Sequence, residues 1–188
     1  ELFPSEYIHI GGDECPKVRG EKCPRCQARI RQLGLRDKDG YTAEHYLQGY
    51  VTDRIGKYLA ERGRRIIGWD EILEGQAPSD AIVMSWRGSA GGIKAAKLGH
   101  DVIMTPNSHF YFDYYQSPDA DAEPFGIGGC VTIDKVYSFD PMADLTPGQQ
   151  AHILGVQANL WTEYIASDDH LEYMLLPRLA ALSEVQWC

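Results

Sequence analysis

Five short stretches of this sequence set an aromatic ring or a pair of glycines beside charged side chains. "HIGGDE" (9–14) ends in Asp13 and Glu14. "GWDE" (68–71) carries Trp69, Asp70 and Glu71, and "SWRG" (85–88) carries Trp86 and Arg87. "YFD" (111–113) carries Tyr111 and Asp113, and "LWTE" (160–163) carries Trp161 and Glu163. Any one of these tryptophans alone is ordinary packing, and any one acid is an ordinary solvated group. Their repetition is what points to a shared site. Indole rings offer wide, stiff apolar surfaces with one N–H donor. Carboxylates accept hydroxyl hydrogens in charge-assisted bonds. Together these groups fit the apolar faces and hydroxyl edges of a sugar ring. Two acids crowded into an aromatic-lined pocket repel, and a carboxyl that keeps its proton near neutral pH can act as a general acid. Glycoside hydrolysis uses that arrangement.

The elements that must position these groups are legible around them. Residues 7–11, 65–69, 81–86 and 101–105 read as short apolar strands, and a fifth lies within 152–161. They are continuous apolar runs, as in parallel sheets covered on both faces. Residues 42–62 read as an amphipathic helix with Leu47, Tyr50, Val51, Ile55, Tyr58 and Leu59 on its apolar stripe and Gly63 after its end. "IKAAKL" before Gly99 reads as a second helix. Residues 168–187 read as a closing helix, with Asp168 or Asp169 as its cap and a kink at Pro177. Residues 12–40 read as a polar loop, and 106–131 as a long aromatic-rich segment with little regular structure. This βα rhythm predicts an α/β fold, either an open doubly wound sheet or part of a barrel. Five strands are too few for a closed eight-stranded barrel. In either case the active site lies at the carboxyl ends of the strands, where all five stretches fall. Along the first strand, alternation turns Ile8 and Ile10 toward the helices and His9 and Asp13 toward the inside. Gly11 and Gly12 leave room for close approach.

Composition sets the outer limits. The chain has 188 residues and a formal net charge of −9, which argues against nucleic acid or an anionic membrane as main partners. No apolar run reaches the roughly 20 residues of a membrane span. Five cysteines (15, 23, 26, 130 and 188) are an odd number in a chain of this size, so they form no disulfide scaffold. Cys23-Pro-Arg-Cys26, with Cys15 upstream, fits a redox pair, free thiols or an incomplete zinc site, for which no fourth ligand is evident nearby. No GxGxxG or GxxxxGK[ST] follows a strand, which argues against a nucleotide. The chain starts at Glu1 rather than at a methionine, and we read it as a piece of a longer protein.

The five stretches, followed by "LPRLAALSEVQW" (176–187), resemble glycoside hydrolase family 20, the β-N-acetylhexosaminidases, in content and order over nearly the whole chain. The resemblance implies one domain, residues 1–188, forming the C-terminal part of a (β/α)8 TIM barrel: strands four to eight with their helices, strands one to three being absent. It implies retaining, substrate-assisted hydrolysis of terminal N-acetylhexosamine, GlcNAc or GalNAc, from an oligosaccharide or glycoconjugate. Glu14 would be general acid and then base, Asp13 would hold the acetamido N–H, and Tyr111 would hold the acetamido oxygen. Trp69, Trp86 and Trp161 would wall the pocket, Asp113 and Glu163 would bind hydroxyls, and Asp70 and Glu71 would stand behind them. An arginine and other sugar-binding groups would come from the absent strands. No metal or organic cofactor is required. A secreted, periplasmic or lysosomal setting is implied, without an N-terminus to decide among them. Exposed edges of a cut barrel invite self-association and poor activity of the isolated chain. The alternatives are a non-catalytic carbohydrate-binding relative, an inactive fragment, or a metal-dependent enzyme built on Asp13, Glu14 and the cysteines.

Overall fold

A computed structural model of the chain describes residues 2–187, so Cys188 lies outside the described residues. Five strands, β1 (Tyr7–His9), β2 (Arg65–Trp69), β3 (Ile82–Ser85), β4 (Val102–Met104) and β5 (Ile153–Val156), form one sheet in sequential order. Every neighbouring pair is parallel. Parallel neighbours require a crossover on each connection, and helices supply most of them. The elements α1 (Val18–Lys22), α2 (Pro24–Leu33) and α3 (Ala43–Ala60) join β1 to β2, and α4 (Ala90–Lys97) joins β3 to β4. Between β4 and β5 lie α5 (Asn107–Phe110), α6 (Ile133–Tyr137) and α7 (Pro147–Gln150), while α8 (Asp168–Leu175) and α9 (Arg178–Trp187) close the chain. A parallel sheet in which each strand lies beside its predecessor is consistent with part of a barrel. The core joins β3, β4, α4, α6 and α9 through Val83, Val102, Met104, Ala95, Val136, Ala181 and Leu182. Among the described residues no helix is long and apolar enough to cross a membrane.

Several sequence expectations need correction. Residues 12–40 are not a loop throughout, because α1 and α2 occupy much of them. Helix α2 has Pro24 in its first turn and Gly34 in the left-handed conformation (φ 64) at its end, which are ordinary start and stop signals. Its charge hid it: Ile30 is its one buried residue. Helix α3 buries Gly49, Thr52 and Gly56, whereas Val51, Ile55 and Tyr58 of the expected stripe are exposed. The small residues are needed because the backbone comes very near. A Cβ on Gly49 would stand 2.6 Å from the Gln76 nitrogen, and one on Gly56 would stand 2.8 Å from Pro78 Cγ.

The closing helix is two helices. It breaks at Leu176–Pro177 instead of kinking, and Ser167, not Asp168 or Asp169, caps α8 by accepting the His170 N–H at 3.2 Å. Segment 106–131 is irregular as expected apart from α5, but it is tied down. Tyr111 bridges to Asn159 and Tyr115 bridges to Cys130.

Candidate active site

The opening stretch becomes a turn because pairing with β2 runs on past β1. The Ile10 N–H donates to the Ile67 carbonyl at 2.9 Å, and the Trp69 N–H donates to the Gly11 carbonyl at 3.0 Å. Gly11 (φ 72) and Gly12 (φ 101) then take the chain out of the sheet through backbone conformations open to glycine. Gly12 also lies against Ile72, whose Cγ2 would be 2.7 Å from an added Cβ. Glu14 is itself left-handed (φ 46), which costs a non-glycine residue about 1–2 kcal/mol. Two bonds hold this bend. Gln48 Nε2 donates to the Gly12 carbonyl at 2.7 Å, and the Glu14 N–H donates to Glu71 Oε1 at 3.4 Å.

Behind the bend, Asp70 and Glu71 sit in the 3₁₀ turn Asp70–Glu74 that follows β2. Asp70 Oδ2 accepts the backbone N–H groups of Trp86 (3.0 Å) and Arg87 (3.2 Å), and Oδ1 accepts Arg87 Nε–H. Glu71 Oε2 accepts the indole N–H of Trp86 at 2.9 Å. One carboxylate therefore touches both the Glu14 backbone and the Trp86 ring. Burial pushes the Glu71 carboxyl up, against the opposing pull of the Trp86 bond.

Tyr111 and Asp113 follow α5 on a strip clipped to the end of β5. The Phe112 N–H donates to the Asn159 carbonyl (2.7 Å), and the Asn159 N–H donates to the Phe110 carbonyl (2.8 Å). Asn159 Nδ2 in turn donates to Thr105 Oγ1 at 3.0 Å, at the end of β4. From the other side Arg178, fully buried in α9, donates to the carbonyls of Phe112 (2.7 Å), Tyr114 (2.9 Å) and Val131 (3.0 Å), and to that of Met174. Its guanidinium also lies 4.8 Å from the Phe112 ring centre. The sequence reading missed Arg178. Its only signal is a lone cation inside the apolar run "LPRLAAL".

These supports bring all eight residues named from the sequence to one open cavity of about 360 Å³. It is lined by Asp13, Glu14, Trp69, Trp86, Tyr111, Asp113, Trp161 and Glu163, together with Tyr114 and Ile127. The volume lies in the range of small-molecule sites. Trp86 and Tyr111 are near-parallel, with ring centres 6.2 Å apart, and Trp161 stands 6.2 Å from both Trp69 and Tyr111. His9 packs edge-on to Trp69 at 4.9 Å. Asp13 and Glu14 are exposed at the lip, while Tyr111 and Asp113 are buried. Tyr114 and Ile127 were not among the expected site residues, because nothing in their spacing marks them. Tyr114 takes its place by lying over Gly129, where a Cβ would come within 2.5 Å of its ring.

Burial, followed by the opposing bonds from Trp161 and Asn159, leaves the Tyr111 hydroxyl pushed up to about 12, so it remains a donor at neutral pH. Burial also pushes the Asp113 carboxyl up, and the Glu163 charge adds to the shift. Asp113 Oδ1 is buried without a hydrogen-bond partner. An unpartnered buried acceptor on a cavity wall suits a ligand hydroxyl. Among the described residues no three His, Cys, Asp or Glu side chains are grouped so as to hold a metal ion.

The model of the family described as "Glycosyl hydrolase family 20, catalytic domain" matches residues 1–188. The chain is 48% identical over 188 residues to the beta-hexosaminidase of Porphyromonas gingivalis, covering 99% of this chain and 23% of that protein. It is 33% identical over 185 residues to the beta-hexosaminidase of Vibrio furnissii, covering 97% of this chain and 29% of that one. It thus spans about a quarter of the length of these curated relatives. Among solved structures it is similar to a Vibrio harveyi GH20 exo beta-N-acetylglucosaminidase in complex with N-acetylglucosamine. The TM-score there is 0.84 at 31% identity, covering 99% of this chain and 29% of that one. It is also similar to Flavobacterium johnsoniae chitobiase, with a TM-score of 0.79 at 31% identity, covering 99% of this chain and 26% of that one.

Proposed function

The chain belongs to glycosyl hydrolase family 20, and on that premise we propose that the protein hydrolyses terminal, non-reducing β-linked N-acetylhexosamine with retention, using the substrate's own acetamido oxygen as nucleophile. The observation that carries this reading is the meeting of eight residues from the ends of five strands around one cavity of sugar size.

In this reading the five strands are the fourth to eighth of a (β/α)8 barrel. The exposed apolar face of α3 and the leucine-lined hollow beside β5 support that assignment, because both would be covered by further barrel elements. Trp69, Trp86 and Trp161 enclose the N-acetyl group and the sugar ring. Tyr111, protonated at neutral pH, donates to the acetamido oxygen and aims it at the anomeric carbon. Asp13 accepts the acetamido N–H, and its charge stabilises the cation that develops as the oxazolinium forms. Glu14 protonates the departing glycosidic oxygen, then removes a proton from the water that opens the oxazolinium. Asp113 and Glu163 accept ring hydroxyls, which gives the unpartnered Asp113 Oδ1 its donor. Substrate-assisted enzymes of this kind are a recognised departure from the two-carboxylate scheme.

The test is Glu14→Gln in the protein that carries this chain. On an N-acetylglucosaminide with a poor leaving group, kcat should fall by about 10²–10⁴-fold, since proton transfer then lacks its acid. Turnover within threefold of the parent would remove Glu14 from the role.

A further inference from the structure

The reaction just described uses none of the cysteines that follow Glu14, and two of them form a pair. Cys23 is the N-cap of α2 and Cys26 stands in its first turn, with Pro24 and Arg25 between them. Residues three apart on a helical turn have Cα atoms about 5 Å apart. That lies within the roughly 4.4–6.8 Å window of disulfides. The two side chains interact directly, and both are partly accessible to solvent. The other free cysteines among the described residues, Cys15 and Cys130, are exposed, and neither shows such a contact with a second thiol.

We propose that Cys23 and Cys26 form a reversible dithiol–disulfide site that exchanges with small-molecule or protein disulfides. The Cys23 thiolate attacks one sulfur of a disulfide RSSR. The RS–SR bond breaks, RS⁻ leaves and a Cys23–S–S–R bond forms. Cys26 then loses its proton to solvent, and its thiolate attacks the Cys23 sulfur and expels the second RS⁻. Two electrons pass from the protein dithiol to RSSR, and the two thiol protons end on two RSH.

The pair is asymmetric in the sense this sequence of steps needs. The backbone N–H and the side chain of Cys26, with Arg25 adding its charge, hold the Cys23 thiol below its usual value. The neighbouring Cys23 side chain pushes Cys26 up. One thiol is the ready attacker at a helix N-terminus, and the other is the protonated partner that resolves the mixed disulfide. Pro24 holds the first turn in helical geometry whichever state the sulfurs are in. Gln27, next to Cys26, donates to the Gly20 carbonyl at 3.2 Å and to Glu44 Oε1 at 2.7 Å, so α1, α2 and α3 are tied together at the site.

The experiment equilibrates the protein carrying this chain, with Cys15→Ser and Cys130→Ser introduced, in glutathione buffers of graded GSH/GSSG ratio. Acid quenching, alkylation and peptide mapping then read each thiol. Cys23 and Cys26 should lose reactivity together in one two-electron transition and regain it with dithiothreitol. In Cys26→Ser the remaining Cys23 should instead stop at a glutathione mixed disulfide, because no resolving thiol is present. The same mapping with Cys15 and Cys130 restored should leave those two alkylatable across the range in which the pair closes. Independent glutathionylation of Cys23 and Cys26 in the parent pair would overturn the proposal. So would a Cys15 cross-link to either thiol, or full alkylation of both across the whole buffer range.

Discussion

Arg178→Met is the perturbation with the most calculable consequence. The side chain is fully buried and makes no ion pair shorter than 4 Å among the described residues. Its partners are four carbonyl oxygens, three of them on the strip 112–131 that carries Asp113 and Tyr114. Hydrogen bonds from a charged donor contribute about 1.5–3 kcal/mol each, so losing the three to the strip costs roughly 5–9 kcal/mol gross. Part of this returns. Burial has pulled the guanidinium well below its ordinary value, to about 10, which corresponds to roughly 3 kcal/mol of desolvation that methionine does not incur. The net loss expected is about 2–6 kcal/mol, a large share of the 5–15 kcal/mol that holds a typical domain folded. The assay is urea unfolding of the protein carrying this chain, followed by tryptophan fluorescence, with hydrogen exchange read over residues 111–131. The midpoint should fall and the strip should exchange faster than β3 and β4. Arg178→Lys, which keeps charge without the planar fork, should lie between parent and Met. A loss below 1 kcal/mol with unchanged exchange in 111–131 would show that the carbonyl cluster does not depend on Arg178.

Other outcomes follow from the same geometry. Asp113→Asn should stabilise the fold near neutral pH while lowering kcat/KM. Because folding raises the Asp113 pKa, the folded state binds more protons than the unfolded state just above the unfolded value, and the carboxylate opposes folding at higher pH. The gain should therefore shrink as pH falls below that unfolded value, where both states are protonated; thermal melts at pH 7 and pH 3 check it, and an equal gain at both would contradict the cause. Gly12→Ala combines a φ of 101 with a 2.7 Å approach to Ile72 Cγ2. It should cost about 2–4 kcal/mol and, by moving Asp13 and Glu14, at least tenfold in kcat/KM, so unchanged kinetics would mean that the turn does not set their position.

Much of this molecule is legible in one dimension. The strands declare themselves as short, largely apolar runs; central β3 is buried along its length, whereas the outer strands β1 and β5 keep exposed residues such as Tyr7 and Leu154. The lip residues declare themselves because side chains at the strand ends repeat one chemistry, an aromatic ring near a charge. Local signals also lay unread in α2, whose proline start and glycine stop frame a polar segment with Arg25, Arg29 and Arg31 and a single buried residue, Ile30.

Other features have no signature along the chain. The inner face of α3 is glycine and threonine because a distant segment, 75–78, passes close to its backbone. Apolar periodicity reports where oily side chains recur, not where a backbone needs space. Glu71 reaching both Glu14 and Trp86, and Arg178 holding carbonyls more than forty positions away, depend on long-range closure of the fold. Residue types and their order determined which chemistry this chain carries. Tertiary packing alone decided which groups support it, because a hydrogen bond across the sheet ends is set by three-dimensional distance and leaves no periodic trace in the sequence.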